Sequence, residues 1–262
     1  MSYTFFTLER DAELAILTLN HGKANVFTVP MHQELQGILD TLNADDSVLG
    51  LIITGRDKFF SAGANIADMV NYGVKEGTEF AEAGQTTANK LERSRFLTLM
   101  AVNGFAFGGG CEMGLAADMR VCAETAVFGQ PEINIGVIPG WGGSRRLQRI
   151  VGRTKAFEMI LTGEPINAAE AYRVGLVNAV HPVATLLDEA KKLARKVTSK
   201  GPTAIEYCKR AMLAGQFLSD EQAEAVEREL FGKAFGTADR KEGMGAFIEK
   251  RPASFPRQFP AK

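Results

Sequence analysis

Three cysteines in 262 residues, at positions 111, 122 and 208, leave no even set for a disulfide framework. Being odd in number and far apart, Cys111, Cys122 and Cys208 suit a reducing compartment, and each reads as a small buried hydrophobe. Histidine is equally scarce: His21, His32 and His181 form no metal-ligand spacing. No run of about 18 apolar residues is present, so no membrane span is expected. The stretch MSYTFFTLERDAELAILTLN lacks a basic segment followed by an apolar one, so no secretory leader is expected and a cytoplasmic location is. A formal net charge of -1 gives no global pull toward nucleic acid or an anionic membrane. There is no internal repeat, low-complexity tract or long linker.

What is present is ordinary for a globular chain, with 45% hydrophobic and 23% charged residues. LAILTLN (14–20) reads as a strand, and residues 31–46 place Leu35, Ile38, Leu39 and Leu42 at helical spacing. VLGLIITG (48–55) is a short β-branched run of the kind buried on both faces of a sheet. This β-α-β order favours parallel strands. Residues 68–95, with glycines at 73, 77 and 84, read as a weakly patterned and mobile helix. FLTLMAVNGFAF (96–107) reads as one buried strand, 111–118 as a short helix, 119–124 as a strand and 175–180 as another. The expected organisation is an α/β core over residues 1–200 and a helical region over 201–262.

GFAFGGGCEMG (104–114) sets three glycines just ahead of Glu112 at the end of an apolar run. A strand that meets glycines and then a helix presents backbone N–H groups without intrahelical partners, open to close approach. Such a place suits an anionic oxygen, either a phosphate or the oxyanion developing on a carbonyl. The phosphate motifs fail by pattern. Gly110 and Cys111 stand where a P-loop needs lysine and serine or threonine, and Met113 stands where a dinucleotide fingerprint needs glycine. No G-x-S-x-G nucleophile motif occurs. The carbonyl reading survives beside a packing reading, in which the glycines only allow close contact.

Glu132 follows Pro131 in an apolar setting, where desolvation would raise its pKa toward neutrality. A solvated loop acid is the competing reading. Two such carboxylates at one substrate can divide acid and base roles. FFSAGANI (59–66) is a second loop of small residues after a buried strand, able to offer backbone groups to a ligand.

FFSAGANI (59–66), VNGFAFGGGCEMGLAAD (102–118), FGQPEINIGVIPGWGGSRRL (128–147), LTGEPINAAEAYRVGLVNAV (161–180) and EGMGAFIEKRPASF (242–255), together with NHGKAN (20–25), resemble the crotonase superfamily, and within it the enoyl-CoA hydratases. The resemblance spans nearly the whole chain in order. It implies a crotonase-like spiral of repeated ββα units with a C-terminal helical region that supports trimers, often paired into hexamers. It implies a coenzyme A thioester substrate, no metal or redox cofactor, and reversible addition of water to a trans-2-enoyl-CoA. It puts the oxyanion hole on the N–H groups of Ala64 and Gly109, and the acid/base pair on Glu112 and Glu132. Gly140 would help place the water and Gln130 would orient Glu132. Lys23, Ala24, Ala62 and Ile66 would meet the coenzyme, joined by Phe247 and Lys250, often from a neighbouring subunit.

Three positions depart from that pattern. Asn65 replaces a common aspartate and Ala67 a basic residue of some hydratases. Trp141, the only tryptophan, replaces smaller or other apolar residues and would narrow the acyl pocket. The rival readings are an enoyl-CoA isomerase or a hydratase of an unusual acyl group, and a coenzyme- or RNA-binding protein that kept only the fold.

Overall fold

The apolar runs become strands of two sheets in the computed structural model, which describes residues 3–257 and 259. The chain opens on an antiparallel hairpin, β1 (Phe6–Asp11) and β2 (Leu14–Leu19). β1 escapes the sequence reading because it is an edge strand whose only buried residue is Phe6, leaving no apolar run to see. Helix α1 (Val29–Ala44) starts where Thr28 caps the Met31 N–H and Pro30 occupies the first turn. It buries Leu35, Ile38, Leu39 and Leu42, as their spacing predicts.

Three units of one plan follow. The first is β3 (Gly50–Thr54), β4 (Phe59–Ser61) and the helices α2 (Ile66–Met69) and α3 (Val74–Glu92). The second is β5 (Leu97–Val102), β6 (Phe105–Phe107) and α4 (Gly109–Leu115). The third is β7 (Met119–Ala123), β8 (Val127–Gly129), a 3-10 turn at Pro131–Ile135 and α5 (Gly143–Val151). In each unit the first strand joins a six-stranded sheet and the second a four-stranded one. Helix α6 (Arg153–Thr162), β9 (Ile166–Asn167), α7 (Ala168–Arg173) and β10 (Ala179–His181) complete the sheets, in the orders β1-β2-β3-β5-β7-β10 and β4-β6-β8-β9. All pairs are parallel except β1–β2 and β8–β9. This is the ββα spiral that the resemblance implies.

Two expectations need correction. The run 96–107 is two strands in different sheets, because the chain turns a corner at Asn103-Gly104. Asn103 Oδ1 accepts the Gly55 N–H there, and any Cβ on Gly104 would overlap the Lys58 carbonyl. The strand expected at 175–180 comes later, after Gly175 turns with φ of 76° and Leu176 and Val177 enter the core.

Helix α8 (Leu186–Thr198) lays Leu186, Ala190 and Ala194 against Leu14, Ile52, Leu97 and Leu99 on one face of the large sheet. The rest is helical to residue 248, in α9 (Pro202–Phe217), α10 (Asp220–Ala234) and α11 (Ala238–Ile248). No helix among the described residues is long and apolar enough to cross a membrane. Cys111 and Cys122 are buried as expected, whereas Cys208 is exposed on α9.

Candidate active site

β4, β6 and β8 run parallel, so their carboxyl ends share one edge of the small sheet. The residues that follow each strand line one cavity of about 1270 Å³: Ala62, Ala64 and Ile66 after β4, Gly108, Gly109 and Glu112 after β6, and Glu132 after β8. The carboxyl end of parallel strands is where open α/β sheets leave a crevice for ligands.

The three glycines have three reasons. Gly108 holds φ of 49°, in the left-handed region, and donates its N–H to the Gly129 carbonyl. A Cβ on Gly109 would overlap the Trp141 ring, and one on Gly110 would lie 2.5 Å from the Ser61 carbonyl oxygen. Backbone conformation therefore requires glycine at 108, and packing requires it at 109 and 110. The same packing brings two loops together: a Cβ on Gly63 would lie 3.0 Å from the Gly109 nitrogen. Among the described residues neither the Ala64 N–H nor the Gly109 N–H has a protein acceptor, and both residues line the cavity.

Glu112 is 2% exposed. Its Oε1 accepts the N–H groups of Trp141 and Gly143, each at 2.7 Å. Burial pushes its pKa up to about 8, helped by the negative charge of Glu132 and opposed by the two N–H bonds. With Oε1 doubly engaged, the proton of the neutral acid belongs on Oε2. Glu132 sits on the 3-10 turn, half-buried, with Oε2 lacking a protein partner among the described residues. Burial pushes it up to about 7. Two carboxyl groups held near neutrality on one cavity can exchange protons with a ligand at physiological pH. Cys111, next in sequence to Glu112, is pushed up to about 12 by burial and stays an unreactive thiol.

The remaining expected residues divide. Gly140 and Trp141 line the cavity, and the Gly140 carbonyl accepts from Gln85 Nε2 at 2.8 Å. Ala24 serves the wall from behind, its carbonyl taking the Ala62 N–H, so Ala62 offers a ligand only its carbonyl. Gln130 corrects its expectation. It is fully buried under α4 and donates to the Gly108 carbonyl at 3.2 Å, not to Glu132. Lys23, Phe247 and Lys250 are exposed and do not line this cavity in the single chain, Phe247 at 83% exposure.

Several contributors were not foreseen. Gly84 of α3, expected only to loosen its helix, is a notch for the Trp141 ring, which any Cβ there would overlap. Phe27, Phe80 and the fully buried His32 hold the same ring, His32 at a centroid distance of 4.5 Å. Burial lowers His32 to about 4, so it packs as a neutral ring. Arg146 pairs with Glu92 at 3.0 Å in the core and donates to the Trp141 carbonyl, fixing the loop that supports Glu112. An Arg-Arg dipeptide reads as surface, and only the pairing of a lone tryptophan with a helix glycine hinted at the notch.

Residues 9–258 match the family model described as enoyl-CoA hydratase/isomerase. The chain is 43% identical over 257 residues to a crotonyl-CoA hydratase of Syntrophomonas wolfei, covering 97% of this chain and 99% of that protein. It is 40% identical over 246 residues to a short-chain-enoyl-CoA hydratase of Clostridium acetobutylicum, covering 93% and 94%. Among solved structures, an enoyl-CoA hydratase of Bacillus anthracis superposes with a TM-score of 0.92 at 32% identity, covering 97% of this chain and all of that one.

Proposed function

The chain belongs to the enoyl-CoA hydratase/isomerase family and is an enoyl-CoA hydratase, and we propose that Glu112 and Glu132 carry its chemistry. One observation carries the assignment: two carboxyl groups of raised pKa face a single cavity beside two N–H groups without acceptors. The enoyl thioester carbonyl accepts from Ala64 and Gly109. Water sits between the carboxyl groups. As its oxygen bonds to C3, Glu112 takes a water proton, the double-bond electrons move onto the thioester oxygen, and Glu132 gives its proton to C2. The pair begins and ends with one proton. The reactive arrangement carries it on Glu132, the less populated form of the singly protonated pair, because Glu112, at about 8, holds a proton more tightly than Glu132, at about 7. The N–H groups favour the enolate more than the substrate, which is the differential binding that lowers a barrier. The test is crotonyl-CoA hydration by the wild type and by the glutamine variants of both acids.

A one-proton pair gives a pH optimum. Below about pH 7 both acids hold protons and none accepts one from water; above about pH 8 both are ionised and none donates to C2. The pH profile of kcat/KM should be a narrow bell with apparent limbs near those values, which belong to the pair as a unit. Stability shifts in one direction only. The unfolded acids ionise near 4.5 and the folded ones near 7 and 8, so unfolding free energy should fall as pH rises from 4.5 to 8 and then level off. A flat profile across that range would remove the proton-sharing pair.

Trp141 closes the deep side of the cavity between Gly84 and Gly109, and this supports a short-chain preference. Two relatives are named for crotonyl-CoA and short-chain enoyl-CoA. Trp141→Ala should raise the kcat/KM of long methyl-ended enoyl-CoA relative to crotonyl-CoA by about tenfold, the worth of one or two methylenes of contact in an apolar pocket. An unchanged ratio would reduce Trp141 to a packing residue.

The core of residues 1–200 holds most of the site, and the helices of 201–262 assemble subunits in this reading. Phe231, Phe235, Met244, Phe247 and Ile248 are exposed apolar side chains on α10 and α11, which supports self-association into a trimer or hexamer. In that assembly Phe247 and Lys250 reach a neighbour's coenzyme, and Lys23 meets its phosphates as a point charge. No metal or redox cofactor takes part in the scheme.

A further inference from the structure

The cavity does not end at the glutamates. From the 62–66 loop it runs past Glu112 and Glu132, along Gly140–Gly142, to Asn89, Arg93, Ser144, Arg145 and Phe217. That far end has a surplus of positive charge. Arg145 lies on the wall with no ion-pair partner among the described residues, and the same holds for Arg93. The neighbouring acids are already engaged, Glu92 by Arg146 and Asp40 by Lys90. Arg149, one turn along α5, stacks over Phe217 at 4.6 Å, and Arg145 covers the same ring at 5.0 Å. This pins the guanidinium groups at the end of α9. Burial lowers the Arg145 pKa, and Arg146, Arg149 and Arg93 lower it further against a single opposing Glu92. Like charges crowded at the mouth of an apolar cleft repel one another until an anion joins them.

We propose that this end of the cleft receives an anionic terminus of the acyl chain, so that the substrates include enoyl thioesters whose far end is a carboxylate held by Arg145 and Arg93. The inference rests on the hydratase reading, because it places the thioester at Ala64 and Gly109 and the chain along Gly140–Gly142. Trp141 blocks the deep apolar route, and the remaining path leads a chain toward the arginines. A guanidinium suits this task because it offers a planar fork to a carboxylate and cannot lose its charge.

The experiment compares kcat/KM for trans-2-enoyl-CoA substrates of matched length that end in methyl or in carboxylate. It uses the full chain as wild type, Arg145→Gln, Arg145→Lys, Arg145→Glu and Arg93→Gln. The wild type should favour carboxylate-ended chains of medium length about tenfold at low salt, with the preference shrinking as salt rises. Arg145→Gln should lower that ratio about tenfold, Arg145→Lys should restore part of it, and Arg145→Glu should transfer the preference to an ammonium-ended chain. A wild-type ratio near one, or a ratio that no variant moves while crotonyl-CoA is still hydrated, would overturn this inference alone. Calorimetric binding of saturated acyl-CoA pairs, methyl-ended and carboxylate-ended, reads the same preference without turnover. Failure to hydrate any enoyl thioester would therefore count against the hydratase scheme, and equal binding of the pair would count against the arginine site.

Discussion

Glu112→Gln and Glu132→Gln should each lower kcat for crotonyl-CoA hydration by about 10²–10⁴-fold, with coenzyme binding retained. Glutamine keeps the shape of either side chain. At position 112 its carbonyl can still accept the Trp141 and Gly143 N–H groups, so the loop above α4 keeps its place. What disappears, in the proposed scheme, is the atom that takes a proton from water. At position 132 the replaced oxygen is the one with no protein partner, so an amide there breaks no bond of the fold. The double variant should be little worse than either single one if, as proposed, the two residues act on one water and one enolate. The Glu132→Gln variant has a second readout. Removing the neighbouring charge that helps raise Glu112 should bring the Glu112 pKa down from about 8. The acid limb of the residual activity, set by ionisation of this base, should then move to lower pH while the alkaline limb set by Glu132 disappears. Loss of the enoyl thioester absorbance follows all of this. Full activity in either variant would strip that glutamate of its role, and loss of coenzyme binding would mean that the substitution reached the scaffold instead.

The site was legible in the sequence where chemistry demands a rare residue in an odd place. Glu112 after three glycines and Glu132 after Pro131 are acids in apolar surroundings, and burial raises both pKa values as that setting predicts. The strands at 14–20 and 48–55 were legible because both faces are covered and the run stays apolar. The corner at Asn103-Gly104 was not, since the strands on both sides of it are apolar and hydrophobicity resumes right after it. The three-fold repetition of the ββα unit was invisible for a related reason. What recurs is the alternation between two sheets, and different residues satisfy it each time: Gly55 against Phe59 in the first unit, Gly104 against Lys58 in the second. Residues that act through others were missed. The family resemblance implied that Gln130 orients Glu132, but the fold buries it beneath Gly108, to whose carbonyl it donates. Arg145 and Arg146 are adjacent, yet one pairs in the core and the other faces the cleft, a division set by the phase of α5.

Gly109→Ala should remove about 1–3 kcal/mol of stability, the usual cost of overpacking, and most of the activity as well. The added carbon would overlap the Trp141 ring, and the ring has no room to retreat. Gly84 bounds it on α3, and Phe27, His32 and Phe80 bound it from the core. The start of α4 must move instead, and with it the Gly109 N–H and the Glu112 carboxyl. A displaced oxyanion donor alone costs about 10²–10³-fold in rate. Coupling separates this contact from a general intolerance of the helix. In a Trp141→Ala background the obstacle is gone, so Gly109→Ala should cost almost no further stability. Gly110→Ala meets the Ser61 carbonyl oxygen at 2.5 Å, a backbone atom that Trp141→Ala leaves in place, and its cost should persist. Denaturant midpoints of the four-variant cycle read the interaction directly. If Gly109→Ala were equally costly in both backgrounds, the Trp141 ring would not be the reason for glycine at 109. If the cost vanishes with the ring while activity stays low, the two reasons act together: Trp141 sets the shape of α4, and that shape aims the N–H.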